Sequence, residues 1–249
     1  MKQHLALLLS TILVLLPGTP ARASYFYADA SGGGGGGGMT FTAKDILWST
    51  SNVASYASNS FTPAGNALIL VAVANSRGSA TAATPTLTGN SLTYVQVDTV
   101  TWDSGLKRIT VFRGMGSSPT AGAVTADFAA DNQTGCYICA VQFSGTNTGG
   151  TNGSGAIVQH GTNSGSGTTV SVTLSALTGS SNAVWMACGN RGASGFAGTP
   201  ETNWNENTDA TGGSPNYGFS DIYRLTTTDN TPSTTITSDN WGAIAVEIQ

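Results

Sequence analysis

Short apolar and alternating segments, separated by turn-forming residues, follow one another along most of the chain. Residues 67–74 are almost continuously apolar, which is typical of a central strand buried on both faces. Residues 92–98 and 108–113 alternate between apolar and polar side chains, and Asp103-Ser104-Gly105 between them favours a turn. Further strands are predicted at residues 123–128, 136–143, 156–160, 168–174, 183–188, 219–225, 234–237 and 241–248. The Gly-, Ser-, Asn- and Pro-rich stretches between these segments are strand breakers.

A helical period is almost absent from the same sequence. The one weak helix candidate lies at residues 43–55. About a dozen short antiparallel strands in residues 39–249 therefore predict an all-β fold, a single β-sandwich of Greek-key or jelly-roll type. No internal repeat divides this region, so we expect one domain.

The first 23 residues have the pattern of a secretory signal peptide. Lys2 precedes an apolar run at residues 5–16, and Ala21-Arg22-Ala23 fits the small-x-small cleavage pattern. The run is shorter than the roughly 20 residues that span a bilayer, and a buried N-terminal helix is the alternative. We therefore expect a secreted or cell-surface protein without a membrane span, cleaved near Ala23.

An aromatic tail and a glycine run occupy residues 24–38. Tyr25-Phe26-Tyr27 precedes an unbroken polyglycine segment at residues 32–38, which favours a flexible linker. The folded domain is then expected to begin near Met39. The aromatic tripeptide is either a frayed tail or a strand that adds to the sheet edge of a neighbouring subunit.

The composition excludes several classes of protein. Charged residues make up 9% of the 249 residues, which is too few for a coiled coil or a helix bundle. A net charge of -4 offers no basic face to phosphates, so we expect no nucleic-acid partner. A hydrophobic share of 39% argues against charge-driven disorder.

Four segments, at residues 61–74, 111–122, 151–159 and 241–248, together carry a family resemblance. They resemble a jelly-roll-like β-sandwich module of uncharacterised bacterial surface or secreted proteins and of phage tail-type proteins. The resemblance covers residues 61–249 and implies a display, adhesion or structural role, with no catalytic residues to carry over. The signal peptide favours a bacterial surface or secreted protein over a virion component.

The histidine and cysteine residues give few options for chemistry. His160 is the one histidine after the signal peptide, and no nucleophile elbow accompanies it. Cys136 and Cys139 have C-x-x-C spacing, but on a strand their side chains point to opposite faces. In an oxidising compartment a Cys139–Cys188 disulfide is the preferred pairing, and three buried thiols are the alternative.

A glycosidase needs two carboxylates across a cleft, and no such pair stands out in the sequence. The acidic candidates are Asp103, Asp127, Asp131, Glu201, Glu206, Asp209, Asp221 and Glu247. Glu247 alternates with apolar neighbours, so it is expected to face solvent or a partner sheet. We therefore expect a protein that is not an enzyme and that uses no cofactor.

The polar segment at residues 201–217 is the most informative candidate site. Trp204 and Tyr217, with Trp102 from the turn after residues 92–98, are predicted to stack on the apolar face of a sugar. The side chains expected to bond its hydroxyls are Asn203, Asn205, Glu206 and Asp209. The same oxygens suit Ca²⁺, although no calcium-binding motif is present. In the alternative interpretation, this is a surface loop in which Trp204 packs on the rim of the sandwich.

The sequence therefore predicts a non-enzymatic secreted or cell-surface β-sandwich with a structural, display or adhesion role. A carbohydrate-binding module and a phage tail or virion protein are the alternatives, ahead of a hydrolase. The expected partners are an extracellular glycan or cell-surface molecule, or further copies of the chain joined through strand edges or the Tyr25-Phe26-Tyr27 tail. The low charge leaves the strand edges poorly protected against such pairing.

Overall fold

Antiparallel strands build the fold seen in the computed structural model, which describes residues 38–192, 196, 198–211 and 217–249. The strands are β1 Thr40–Ser49, β2 Ser55–Ala57, β3 Leu68–Ser76, β4 Thr86–Gly89, β5 Val95–Trp102, β6 Lys107–Gly114, β7 Val124–Asp127, β8 Gly135–Ser144, β9 Ile157–Ser171, β10 Ala183–Asn190, β11 Thr199–Pro200, β12 Asn205–Thr211, β13 Gly218–Arg224 and β14 Ser233–Ile248. The predicted all-β class is confirmed, and the sheets are consistent with a β-sandwich. In the described part of the chain, no helix has the length and apolar character needed to cross a bilayer. The predicted signal peptide and residues 24–37 lie outside the described residues.

The first large sheet has the strand order β1-β8-β3-β6-β5. All nine positions of its central strand β3 are buried, so the prediction of a strand covered on both faces is confirmed. An antiparallel sheet commonly has one face on the core and the other in water. Because every residue of β3 is buried, a layer of protein must cover both faces of this sheet. The hairpin turn predicted between the strands now labelled β5 and β6 is also present, at Asp103–Gly105.

The second large sheet packs on one face of the first. Its order is β12-β13-β10-β14-β9, and β11 pairs with the beginning of β14. Trp185, Phe219 and Val246 from this sheet join Leu70, Tyr137 and other side chains of the first sheet in the central core. Phe41 of β1 stacks on Tyr223 of β13 at 3.7 Å between ring centroids, which brings the β1 and β12 sides of the sandwich together.

Two further layers cover the outer faces of the two large sheets. The small sheet β2-β7-β4 covers the first, where Tyr56, Leu87 and Val124 contact the outward side chains of β3 and β8. On the second, Val172 and Leu174, just beyond β9, pack with Met186 of β10. The core is therefore divided into three hydrophobic layers, which explains why β3, β8 and β10 are buried along nearly their full length.

Several predicted elements change in the structure. The weak helix candidate at residues 43–55 is wrong, because β1 occupies Thr40–Ser49 and β2 follows at Ser55–Ala57. Leu47 packs in the outer core of the first sheet, while Ile46 and Trp48 pack against the central core. Burial on both faces removes the alternation that marks a strand in sequence. The segments predicted at 234–237 and 241–248 belong to one strand, β14, and those at 156–160 and 168–174 lie mostly within β9.

Candidate functional site

The three aromatic residues predicted to stack on a sugar all lie inside the molecule. Trp102 exposes 5% of its surface, Trp204 7% and Tyr217 none. A sugar needs a ring face that is open to solvent. The prediction that these rings form a ligand platform is therefore wrong, and the alternative, in which Trp204 packs onto the sandwich, is the observed arrangement.

Each of these rings is held by specific contacts. The Trp204 Nε1–H donates to Asp229 Oδ2 at 3.0 Å, and the Tyr217 hydroxyl donates to the Ala74 carbonyl at 3.1 Å. Trp102 reaches from the first sheet onto the second, where Gly189 of β10 faces Gly242 of β14 across the ladder. A Cβ atom on either glycine would meet the Trp102 ring, at 3.0 Å and 2.5 Å respectively. This glycine pair therefore forms the slot that the indole fills.

The polar segment at residues 201–217 contains a strand, which its composition did not predict. Asn205–Thr211 forms β12, the edge strand beside β13. Asn203 and Asn205 are exposed, and Asn203 has the left-handed φ of 73° expected in a turn before the strand. The Asn205 amide donates to the Tyr223 carbonyl at 3.5 Å, which ties it to β13.

A β-bulge in β12 brings two carboxyl groups onto one face. Glu206 pairs with Ile222 and Thr208 with Asp221, so Asn207 is the extra residue. Residues three apart on a regular strand point to opposite faces, but the extra residue places Glu206 and Asp209 on the same face. Ser220 is the cross-strand neighbour of Asp209 and is fully buried.

The environment of this pair favours the neutral carboxyl forms. Desolvation raises the pKa of Glu206. Desolvation is also the main cause that raises the pKa of Asp209 to about 7, with a smaller contribution from the charge of Glu206 and an opposing one from the Gly198 N–H. Both residues are exposed by surface area, so their carboxyl groups are only partly desolvated. The spacing of Glu206 and Asp209 in the sequence does not indicate that their side chains share a face, because residues three apart on a regular strand point to opposite faces.

Asp221 lies on the other face of β13, in the core between the two large sheets. Its carboxylate accepts hydrogen bonds from Trp185 Nε1 at 2.8 Å and from Asn207 Nδ2 at 3.0 Å, and the Cys139 thiol lies 3.6 Å away. Burial raises the pKa of Asp221 to about 6 despite these donors, and the charge of Glu206 contributes further. The acidic group is therefore enclosed in protein and closed to a ligand.

Glu247 is a second buried carboxylate, so of its two predicted environments, solvent or a partner sheet, the exposure to solvent is wrong. It accepts hydrogen bonds from Gln159 Nε2 at 2.6 Å, Asn182 Nδ2 at 2.7 Å and the Thr178 N–H at 2.8 Å. Desolvation alone would raise the pKa of Glu247, but the donors outweigh it and the pKa is lowered. Glu247 thus anchors the segment before β10 onto the sheet.

His160 has a partner that its sequence neighbours did not reveal. Its Nδ1 lies 2.7 Å from Asp98 Oδ2, which joins β9 of the second sheet to β5 of the first. The imidazole is about half exposed, and the pair links two strands at one side of the sandwich. The contact therefore ties the edge of one large sheet to the edge of the other.

The structure contradicts the predicted Cys139–Cys188 disulfide. All three cysteines are free and buried. Cys139 lies in the central core, whereas Cys188 lies in the layer on the opposite face of the second sheet, so β10 itself separates the thiols. Cys136 and Cys139 do point to opposite faces of β8, as their spacing predicts.

Four strands form the lateral edges of the two large sheets, and in three of them a bulge lies beside charged residues. A bulge leaves one residue of β1, β5 and β12 outside the register, namely Lys44, Val97 and Asn207. Charged residues lie at or beside each bulge: Lys44, Asp45, Asp98, Glu206 and Asp209. Bulges and charges are the features by which natural edge strands resist pairing with another chain.

Strand β9, the fourth edge, lacks both kinds of protection along its centre. Its pairing with β14 is unbroken from Gln159 to Gly167, and register shifts occur only towards the two ends of the strand. None of its 15 residues is Asp, Glu, Lys or Arg, and residues 162–166 are exposed in succession. Gly165 allows the Trp241 ring to lie against the strand, where a Cβ atom would meet it at 3.0 Å. β9 is thus a long, regular and uncharged edge.

The described residues offer little else that resembles a reactive centre. No three of their His, Cys, Asp or Glu side chains come together where they could hold a metal ion. Val53 is the one large hydrophobic side chain among them that is exposed. No protein-family model, no curated protein and no solved structure matches the chain.

Proposed function

We propose that the protein is a non-enzymatic, secreted or cell-surface β-sandwich with a structural, display or adhesion role, and that it assembles with copies of itself through β9. The observation that carries the proposal is the contrast among the four lateral edges. β1, β5 and β12 combine a bulge with charge, whereas β9 presents an unbroken register of uncharged residues from Gln159 to Gly167, and its register shifts lie nearer to its two ends.

A second copy of the chain is the binding partner that the uncharged β9 edge favours. An uncharged strand can pair antiparallel with the same strand of another copy about a two-fold axis, because neither side brings charge repulsion. Backbone groups along an edge strand that face away from its partner are free to extend the ladder. Assembly through backbone hydrogen bonds also needs no exposed apolar patch, and Val53 is the one exposed large hydrophobic residue in the described ranges.

Sedimentation velocity of the purified protein tests the proposal. The wild-type chain is expected to sediment as a dimer or larger species, and the double variant Ser164→Lys, Ser166→Lys as a monomer. The double variant Ser79→Lys, Ala80→Lys is the matched control, because it adds the same two charges at an exposed bend outside the large sheets and should leave assembly unchanged. A wild-type chain that stays monomeric at all concentrations, or a lysine variant that assembles normally, would contradict the proposal.

Two further samples separate the related alternatives. Deletion of residues 24–38 should leave assembly intact, and its loss in that variant would assign the contact to the Tyr25-Phe26-Tyr27 tail instead of β9. The N-terminus of the native protein should begin near Ser24, and an intact Met1 would count against export.

A further inference from the structure

The outward face of the β12–β13 edge contains an unpaired group of oxygen ligands. The carboxyl groups of Glu206 and Asp209 share this face because Asn207 is bulged out of the register. Ser220 lies opposite Asp209, and side chains of such cross-strand neighbours lie on the same face about 5 Å apart at Cβ. Three oxygen-bearing side chains from two strands therefore lie on one face at this edge of the sheet.

These oxygens lack the partners that a protein normally provides. Among the described residues, no Lys, Arg or His forms an ion pair with Glu206 or Asp209. Asp209 accepts one hydrogen bond, at Oδ2 from the Gly198 N–H at 3.0 Å. The Ser220 hydroxyl is fully buried and has no hydrogen-bond partner in the described part of the chain. A buried polar atom without a partner costs about 1–3 kcal/mol, so it calls for an explanation.

We propose that Glu206, Asp209 and Ser220 bind a hard divalent cation, Ca²⁺, on this edge. Two carboxylates supply the charge that Ca²⁺ requires, and the Ser220 hydroxyl supplies a neutral oxygen from the adjacent strand. Water completes the coordination sphere, because Ca²⁺ takes six to eight oxygen ligands. A site with few protein ligands at an exposed edge binds weakly, with a Kd on the order of 10⁻⁴–10⁻³ M, as in other extracellular modules.

The same site explains two features that are otherwise unrelated. The cation supplies the counter-charge that no described Lys, Arg or His gives to Glu206 and Asp209. It also provides the missing partner of the Ser220 hydroxyl. Ligand binding at this edge does not depend on β9, which lies at the far side of the same sheet.

Calorimetric titration of the metal-free full chain with CaCl₂, with thermal melts at 0 and 10 mM CaCl₂, tests the assignment. The wild-type chain is expected to bind one Ca²⁺ and to melt a few degrees higher in its presence. Glu206→Gln and Asp209→Asn should each weaken binding about tenfold or more, because each removes a charged ligand. Glu201→Gln is the matched control, because it removes one exposed carboxylate outside the proposed site and should bind Ca²⁺ as the wild type does.

Ser220→Ala separates a ligand from a structural defect. As a ligand, the hydroxyl is needed for full affinity, so the variant should bind Ca²⁺ several-fold more weakly while its metal-free melting temperature stays the same or rises. Circular dichroism of every variant verifies the fold. Absence of saturable Ca²⁺ binding in the wild type would overturn the proposal, as would wild-type affinity in Glu206→Gln, Asp209→Asn or Ser220→Ala.

Discussion

At the scale of single residues, Asp221 shows how the core accommodates an acidic group. Its hydrogen-bond donors come from three strands: Trp185 of β10, Asn207 of β12 and the thiol of Cys139 in β8. The same bulge that exposes Glu206 and Asp209 on one face turns Asn207 inward to Asp221 on the other. The single bulged residue therefore determines which side chains of β12 lie on each face of the sheet.

The buried Asp221 predicts a stability that increases as the pH falls. Burial raises its pKa to about 6 in the folded state, so the folded protein holds the proton more tightly than the unfolded chain does. Between about pH 4 and pH 6, the free energy of unfolding therefore decreases as pH rises, by about 3 kcal/mol in total for this group. Urea denaturation from pH 4 to pH 8 measures the effect.

Asp221→Asn isolates this contribution from the other acidic residues. The variant cannot titrate at position 221, so its free energy of unfolding should vary less with pH than that of the wild type. Glu201→Gln should keep the wild-type slope, because Glu201 is exposed. Equal slopes in the wild type and Asp221→Asn would refute the titration of a buried carboxyl group.

The residues of the candidate site were predictable in part. Trp204 and Tyr217 stand among polar neighbours, so the sequence favours exposure, yet both rings are buried. Their burial depends on strand pairing and on layers that are distant in sequence, such as the Asp229 carboxylate that receives the Trp204 N–H. The Glu206–Asp209 pair was hidden for the same reason, because a bulge exists only relative to the partner strand.

At the scale of elements, the pattern of apolar residues predicted most strands and missed the continuity between them. Residues 67–74 and 183–188 identify β3 and β10 because their apolar runs are strong. β14 was divided in two because Ser238, Asp239 and Asn240 have the composition of a turn, and they instead lie within a strand that carries a register shift. Local composition cannot reveal hydrogen bonding to a distant strand.

The glycine slot for Trp102 gives a prediction at this scale. Gly242→Ala should lower the free energy of unfolding by about 1–3 kcal/mol, because the new methyl group would meet the indole at 2.5 Å within a packed core. Urea denaturation of wild type and variant measures the change. The cost should shrink when Trp102 is also replaced by Ala, since the colliding ring is then absent.

Gly78→Ala provides the control for this substitution. A Cβ atom at Gly78 would approach only Thr134 Cγ2, at 4.0 Å, so stability should change little. An equal effect of Gly242→Ala in the presence and absence of the Trp102 ring would mean that the glycine pair is not its slot.

At the scale of the whole molecule, the low share of charged residues fits a fold that is packed in three hydrophobic layers. With 9% charged residues, the chain keeps few charges for its surface, and several of these protect the bulged edges β1, β5 and β12. The sequence predicted poorly protected edges in general. Which edge is open could not be predicted, because it depends on the strand order that places β9 at the side of the second sheet.

Hydrogen exchange of the wild-type protein at low and high concentration tests the central claim, assembly through β9, most directly. Those amides of residues 161–169 that point away from β14 should exchange rapidly in dilute protein and become protected as concentration rises, because a second copy extends the ladder. Amides of the small-sheet strand β7 should exchange at the same rate at both concentrations. Exchange at residues 161–169 that does not depend on concentration, or new protection confined to another edge such as β1, would contradict the claim.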